Sequence, residues 1–198
     1  MLDDLPGAAG RESGSAVHVL GAARFVVPSA IARSSRITDK GRALENFRRL
    51  LDHADQLEPS NAEVALATEI EEIAQREAVE MDGGESLLCA IVITRVYDYL
   101  VTGDKRAVIA LEQMRELLAI LSDLDGKAVS LEQSIAWLVV ALGEEEVRAR
   151  VCREKDVDKA LSACCSCASL HIALSPDSGL ESYIDDLRRQ APHILSET

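Results

Sequence analysis

The chain has 198 residues, which is long enough for one sizeable hydrophobic core. Its formal net charge of −13 repels phosphate backbones at long range, which argues against a constitutive, high-affinity nucleic-acid-binding protein. Its five cysteines, an odd number, do not resemble an extracellular disulfide framework. No apolar stretch has membrane-spanning length, and the acidic start (MLDDLPGAAG) is unlike a secretion signal. The sequence therefore predicts a cytoplasmic protein with no membrane partner.

The first eighty residues are predicted to hold one strand and two helices. Residues 1–20 are rich in Gly, Ala and Ser and predict a loop. The run ARFVVP, residues 23–28, predicts a short buried strand that ends at its proline. Apolar residues recur at helical spacing over residues 41–53, and residues 60–78 predict a helix capped by its first Ser or Asn.

The middle of the chain alternates helices and strands. Helices are predicted from Glu85 to about residue 96, from Asp104 to about residue 118, and from Leu131 to a break near Gly143. Between them, YDYLV (residues 97–101) and GKAVS (residues 126–130) predict short strands.

This alternation predicts an α/β fold. Short apolar strands joined by helices of ten or more residues are typical of parallel βαβ units. We expect a small parallel sheet of three to four strands flanked by helices, in a domain that covers residues 1–142. Residues 143–198 predict an all-helical C-terminal extension that packs on this domain.

Two acidic residues are predicted to meet at one edge of the sheet. Asp104 directly follows a strand and opens a helix, and Glu85 begins the helix that leads into the same strand. When a helix runs antiparallel to the strand that follows it, the start of the helix lies at the carboxyl end of that strand. Open parallel sheets bind ligands at this end of their strands. Carboxylate oxygens are the ligands that Mg²⁺ and Mn²⁺ prefer. Asp82 is better explained as a turn residue than as a ligand.

The residues around these two carboxylates resemble a known family. The pattern GES-LL-A…YLVTGDKRA-IALE resembles the third and fourth blocks of PIN-domain proteins, which are metal-dependent ribonucleases with a parallel sheet flanked by helices. FVVPSAI resembles the family's second strand and the helix after it. GKAVSLEQ resembles the family's last strand and the start of the helix that follows. The resemblance covers roughly residues 23–140, and the order and spacing of the pieces carry it.

The resemblance implies a Mg²⁺- or Mn²⁺-dependent endoribonuclease, a hydrolase whose metal-activated water cleaves RNA. Glu85 and Asp104 match the acidic residues of the family's third and fourth blocks. Asp3 or Asp4 matches the Asp of its first block, so Asp3, Glu85 and Asp104 are the expected catalytic residues and Asp4 is a further candidate ligand. Many proteins of this fold act in toxin–antitoxin pairs, which implies RNA and an antitoxin-like protein as partners.

The sequence also departs from the family. Almost no strand precedes Asp3 and Asp4, so the first strand is either missing or reduced, and Arg33 with Ser34 stands where the family has an acidic residue. One alternative is therefore a PIN-like domain that has lost its metal and serves as a protein-binding or assembly module. Another is that Glu85 and Asp104 are only helix-capping carboxylates. A purely helical interaction protein would require that none of the predicted strands forms.

Two further clusters have simpler explanations. The basic segment from Arg33 to Arg49 could bind RNA, but an exposed helix face explains it better. Cys164 and Cys167, with His171 one turn on and Cys152 upstream, have the spacing of zinc ligands. Because Cys164, Cys165 and Cys167 lie among apolar residues, small buried core cysteines are the preferred interpretation.

Overall fold

The computed structural model describes residues 17–168 and 176–197. Asp3, Asp4 and His171 lie outside the described residues. The protein is of mixed α/β class and 65% helical, so the predicted class is confirmed. No helix in the described ranges combines the length and the apolar character that crossing a membrane requires.

The helices and strands of the described chain follow the predicted order closely in its middle part. They are β1 (His18–Leu20), α1 (Ala23–Arg33), α2 (Lys40–His53), β2 (Asp55–Leu57), α3 (Asn61–Arg76), α4 (Gly83–Arg95), β3 (Leu100–Thr102), α5 (Lys105–Met114), a 3₁₀ helix (Ala119–Leu124), β4 (Ala128–Ser130), α6 (Leu131–Leu142), α7 (Glu144–Arg153), α8 (Lys159–Cys164) and α9 (Pro176–Gln190).

Contacts divide the chain into two compact units. The first unit comprises Met1–Glu58 and Ile135–Leu180, and the second unit comprises Pro59–Ser134 and Glu181–Thr198. Each unit is therefore built from two separate stretches of sequence. The predicted division at residue 142 follows a different line, and it stays a prediction.

The first unit contains a two-stranded parallel sheet. β1 pairs with β2 in the register His18↔Asp55 to Leu20↔Leu57, and the Gly21 N–H extends the pairing by donating to the Leu57 carbonyl over 2.9 Å. Sequence analysis missed both strands, and it placed His18–Leu20 in a loop. Strands of three residues are too short to show the alternation by which a half-buried strand is recognised.

The expected strand over residues 23–28 is wrong, because these residues form the first half of α1. The aromatic and β-branched residues of FVV favour a strand locally, yet the inward-facing residues Ala23, Val27 and Ile31 lie one helical turn apart. Ile31 is buried, whereas Phe25 is 65% exposed. Packing at a spacing of four residues has therefore overridden local propensity, and Pro28 lies inside the helix.

The second unit contains the other parallel pair. β3 and β4 pair in the register Leu100↔Ala128 to Thr102↔Ser130. The end of the chain lies along the other side of β4, because the Ala128 N–H donates to the Ile194 carbonyl over 3.0 Å and the Ser196 N–H donates to the Ala128 carbonyl over 2.7 Å. The strand predicted over residues 126–130 is thus confirmed in its second half.

The predicted single sheet of three to four strands is not shown. The described chain has two sheets of two strands each, β1–β2 and β3–β4. The strand predicted over residues 97–101 is shorter and later than expected, since pairing begins only at Leu100. Val96 ends α4 in the left-handed conformation, with φ of 56°, and the next three residues lead into β3 without strand pairing.

The core of the second unit is aliphatic, as the scarcity of aromatic residues predicts. α3, α4 and α5 contribute one face each, and β3, β4, the 3₁₀ helix and the end of the chain complete the cluster. Its fully buried members include Ile70, Val108, Met114, Leu121 and Leu124. This packed core holds the starts of α4 and α5, and with them Glu85 and Asp104, in fixed positions.

Candidate functional site

Glu85 and Asp104 both lie at helix starts, as the sequence predicts. Glu85 is the third residue of α4, and Asp104 is the residue before α5, one position after the turn at Gly103 that follows β3. Two glycines begin α4, and a carboxylate in a first helical turn is favoured by the helix dipole. The local sequence therefore explains why each acidic residue stands where it does.

Glu85 takes part in a reciprocal helix cap with Asp82. The Glu85 N–H donates to Asp82 Oδ1 over 2.9 Å, and the Asp82 N–H donates to Glu85 Oε2 over 3.3 Å. This capping box satisfies two backbone donors at the start of α4. Asp82 is thus the N-cap of α4, where the sequence predicts a turn residue, and Glu85 completes the cap.

Asp104 caps α5 and is held by an arginine. The Arg106 N–H donates to Asp104 Oδ1 over 2.9 Å. The Arg106 guanidinium also reaches both carboxylate oxygens, with Nε at 3.2 Å from Oδ1 and Nη2 at 2.9 Å from Oδ2. Its remaining Nη1 contacts Glu80. Arg106 is thus the positive charge of a small acidic cluster.

The pKa values of the two carboxylates shift in opposite directions. Burial raises the pKa of Glu85 above its ordinary value, and the negative charges of Asp82 and Asp104 raise it further. The hydrogen bonds from Arg106 lower the pKa of Asp104 instead. Asp104 thus adds to the raised pKa of Glu85, and the charge of Arg106 lowers the pKa of both carboxylates.

The structure brings together only part of the predicted ligand set. Glu85 and Asp104 belong to one acidic cluster, whereas Asp3 and Asp4 lie outside the described residues. Within residues 17–168 and 176–197, no group of three or more His, Cys, Asp or Glu side chains is arranged to hold a metal ion. Two carboxylates with water can still suit Mg²⁺, which usually keeps several waters.

Lysine and arginine after Asp104 have protein partners. Lys105 Nζ lies 2.5 Å from Oε1 of the buried Glu132 and 4.4 Å from the centre of the Tyr183 ring. Arg106 contacts Asp104, as described above. Sequence analysis treated both as candidates for a phosphate contact, and it missed Glu132 because a buried carboxylate on α6 leaves no pattern that differs from an exposed one.

The cysteine cluster forms a disulfide bond. Cys152 at the end of α7 is bonded to Cys167, with Cα atoms 5.1 Å apart, while Cys164 and Cys165 are buried cysteines outside this disulfide. The buried cysteines fit the preferred core interpretation. Cys167 is not available to a zinc site while it is bonded to Cys152. Because disulfides are typical of oxidising compartments, this bond does not favour the predicted cytoplasmic location, which stays a prediction.

Comparison with known proteins returns no relative. No protein-family model matches the chain, and no curated protein or solved structure matches it significantly.

Proposed function

We propose that the protein is a PIN-like, metal-dependent RNA phosphodiesterase. In this proposal Glu85 and Asp104 hold Mg²⁺ or Mn²⁺ together with Asp3 or Asp4. The observation that carries the proposal is that Glu85 and Asp104 stand at the starts of the helices before and after β3 in the chain, with Asp104 among the charges that raise the pKa of Glu85. A parallel strand with two acidic helix starts at its carboxyl end is the expected place for such a site.

The donor set suits a hard divalent cation. Both candidate ligands are carboxylates, and the pKa of Glu85 is raised partly by the charge of Asp104, a repulsion that a bound cation would remove. A divalent cation supplies charge stabilisation for phosphoryl transfer and lowers the pKa of a water molecule.

Three side chains have defined tasks in this proposal. Asp104 must exchange the guanidinium of Arg106 for the cation. Arg106 is then released near the cluster, where it can bind a phosphate oxygen of RNA. Glu85 would hold the cation with one carboxylate oxygen while the other keeps its contact with the Asp82 N–H.

The test is RNA cleavage in Mn²⁺ by matched variants. Asp104→Asn and Glu85→Gln should each lower the rate by about 100-fold or more, because each removes one charge that holds the cation. Both changes keep the local fold, since Asn is a good helix cap and Gln serves in a capping box. Asp123→Asn, an exposed change in the same unit, is the control and should cleave at the wild-type rate.

A second candidate function is a PIN-like domain that has lost its metal and serves as a binding or assembly module. The specific observation in its favour is that Arg106 contacts both oxygens of Asp104. A structural ion pair of this kind can replace a cation permanently. If the wild-type protein cleaves no RNA in Mn²⁺ and Arg106→Gln restores no cleavage, the module is supported and the enzyme is excluded.

A further inference from the structure

A cleft in the first unit has the size of a small-molecule site. It lies between α2 and α7, with a volume of about 820 Å³, within the range of pockets that bind small molecules. Its lining runs along the whole of both helices: Asp39, Arg42, Ala43, Asn46, Arg49, Leu50 and His53 from the α2 side, and Glu146, Ala149, Arg150, Arg153 and Glu154 from the α7 side.

The packing of α2 leaves the cleft open. Although α2 is strongly amphipathic, none of its residues is fully buried. On the cleft side its apolar positions are Ala43 and Leu50, and Ala149 is the apolar lining residue of α7. Two of these three side chains are methyl groups, so the helices present a shallow apolar surface between rows of longer polar side chains.

Two of the four arginines in the cleft already have partners. Arg49 Nη2 lies 2.5 Å from Oε1 of Glu45, and Arg150 Nη2 lies 2.7 Å from Oε1 of Glu146, each pair within one helix. These guanidinium groups are therefore balanced in charge. Their planar faces still offer stacking surfaces of the kind that arginine provides to nucleic-acid bases.

The other two arginines have no carboxylate partner. Among the described residues, no Asp or Glu forms an ion pair with Arg42 or Arg153. Two carboxylates line this end of the cleft and are bonded to backbone: Glu154 accepts the N–H groups of Thr38 and Asp39 over 2.8 and 3.0 Å, and Asp39 Oδ1 accepts the Arg42 N–H over 2.9 Å. The bonds to Glu154 bring the start of α2 to the end of α7. Arg42 and Arg153 are therefore at the same end of the cleft.

The opposite half of the cleft offers further hydrogen-bonding groups. His53 Nδ1 lies 2.8 Å from the Arg49 carbonyl, so Nδ1 carries the hydrogen and donates it, since a carbonyl only accepts. Nε2 is then the ring nitrogen available to a ligand. Asn46 lies between this histidine and Arg42 along α2, and its amide both donates and accepts.

We propose that the cleft between α2 and α7 binds a nucleotide. The phosphate lies at the end where Arg42 and Arg153 present unpaired guanidinium groups, which suit bidentate contacts to phosphate. The base lies over Leu50 and forms hydrogen bonds with Asn46 and His53. The nucleotide is either a free mononucleotide or the terminal residue of an RNA strand. This inference stands independently of the carboxylate site, because it rests on residues of the first unit alone.

The test is calorimetric titration of the full chain with AMP and GMP and with a five-nucleotide RNA, in EDTA. EDTA removes divalent cations, so the result does not depend on the proposed metal site. Arg42→Gln and Arg153→Gln should each weaken binding about tenfold or more. Arg48→Gln is the matched control, because Arg48 is exposed on the same helix and does not line the cleft. Its affinity should equal that of the wild type.

Adenosine provides the second control, and it should bind at least about tenfold more weakly than AMP, because it lacks the phosphate. If the RNA binds, AMP and GMP do not, and Arg42→Gln loses the RNA binding, the proposal is supported and the nucleotide is the terminal residue of an RNA strand. The proposal is overturned if no ligand binds at millimolar concentration, if Arg48→Gln costs as much as Arg42→Gln, or if adenosine binds as well as AMP. Asp104→Asn should leave this binding unchanged, so failure here and failure of the carboxylate site are distinguishable.

Discussion

The two compact units of the chain differ most in how they bury side chains. In the second unit, α4 alone buries a continuous series of residues from Cys89 to Ile93, and its neighbours α3 and α5 are equally well packed. In the first unit, α1 buries only Ile31, α7 buries only Val147, and α2 buries none. The first unit instead contains a disulfide and a cleft with unpaired arginines.

This difference indicates that the two units are stabilised by different interactions. The second unit is stabilised by apolar burial and by charges that pair inside it, so its acidic cluster is positioned in advance. The first unit has less apolar burial, and a covalent link and a bound ligand can supply part of its stability. Single substitutions can remove these supports one at a time.

The largest effect is expected from Arg95→Gln in the second unit. Arg95 Nε and Nη2 lie 2.6 and 2.9 Å from the oxygens of Glu63, whose side chain is only 2% exposed. Removing the cation leaves a buried carboxylate unpaired, which should lower the free energy of unfolding by about 3–5 kcal/mol. Arg189→Gln breaks an exposed pair with Asp186 in the same unit and should cost less than about 1 kcal/mol. Equal losses in urea unfolding would contradict this account.

A large-to-small substitution of an apolar side chain should cost more stability in the second unit than in the first. Leu111→Ala removes a buried side chain of α5 and should lower the stability of the second unit by about 2–5 kcal/mol. Leu51→Ala removes a partly buried side chain of α2 and should lower the stability of the first unit by about 1 kcal/mol. Hydrogen exchange followed by mass spectrometry reports each unit separately. The contrast between the units fails if both changes cost the same.

Acid should weaken the second unit through Glu63. Hydrogen bonds from Arg95 lower the pKa of Glu63 from 4.5 to about 2. Because the folded-state pKa is depressed, this stabilisation is complete above about pH 4.5 and is lost as the pH falls towards 2. It amounts to on the order of 3 kcal/mol. Glu63→Gln, which preserves the capping box with Ser60, should reduce the loss of stability between pH 6 and pH 2 by that amount. An unchanged profile would refute the assignment.

Loss of the disulfide should act on the first unit alone. Cys152 and Cys167 are 15 residues apart in sequence, and a loop of that size contributes about 3 kcal/mol when it is closed. Cys152→Ser should therefore speed hydrogen exchange in α7 and α8 and leave α3–α5 unchanged. A reductant should have the same effect on the wild type and none on the variant. If exchange in α3–α5 also rises, the two units are not stabilised separately.

Some helix ends could be predicted because the residues next to them are of types that favour helix ends. Ser60 at the start of α3 and Asp104 before α5 are residue types whose side chains cap helices, and the structure has both caps. The left-handed φ of 87° at Gly143, which separates α6 from α7, is a conformation suited to glycine. These features depend on residues within one helical turn of each other.

The features that were missed depend on contacts distant in sequence. β1 and β2 pair across more than thirty residues, and each is only three residues long. The partner of Cys152 could not be chosen from spacing, because spacing does not fix disulfide connectivity. Arg106 was visible beside Asp104, but only the structure shows that its guanidinium contacts both Asp104 oxygens and Glu80. Local sequence therefore located the acidic residues without indicating what neutralises them.

The most direct measurement for the proposed cation site is calorimetric titration with Mn²⁺. The account predicts that the wild type binds Mn²⁺, that Asp104→Asn binds at least about tenfold more weakly, and that Arg106→Gln binds more tightly because the competing guanidinium is gone. Asp123→Asn should match the wild type. Identical heats for the wild type and Asp104→Asn, with no gain in Arg106→Gln, would contradict the claim that Glu85 and Asp104 hold a divalent cation.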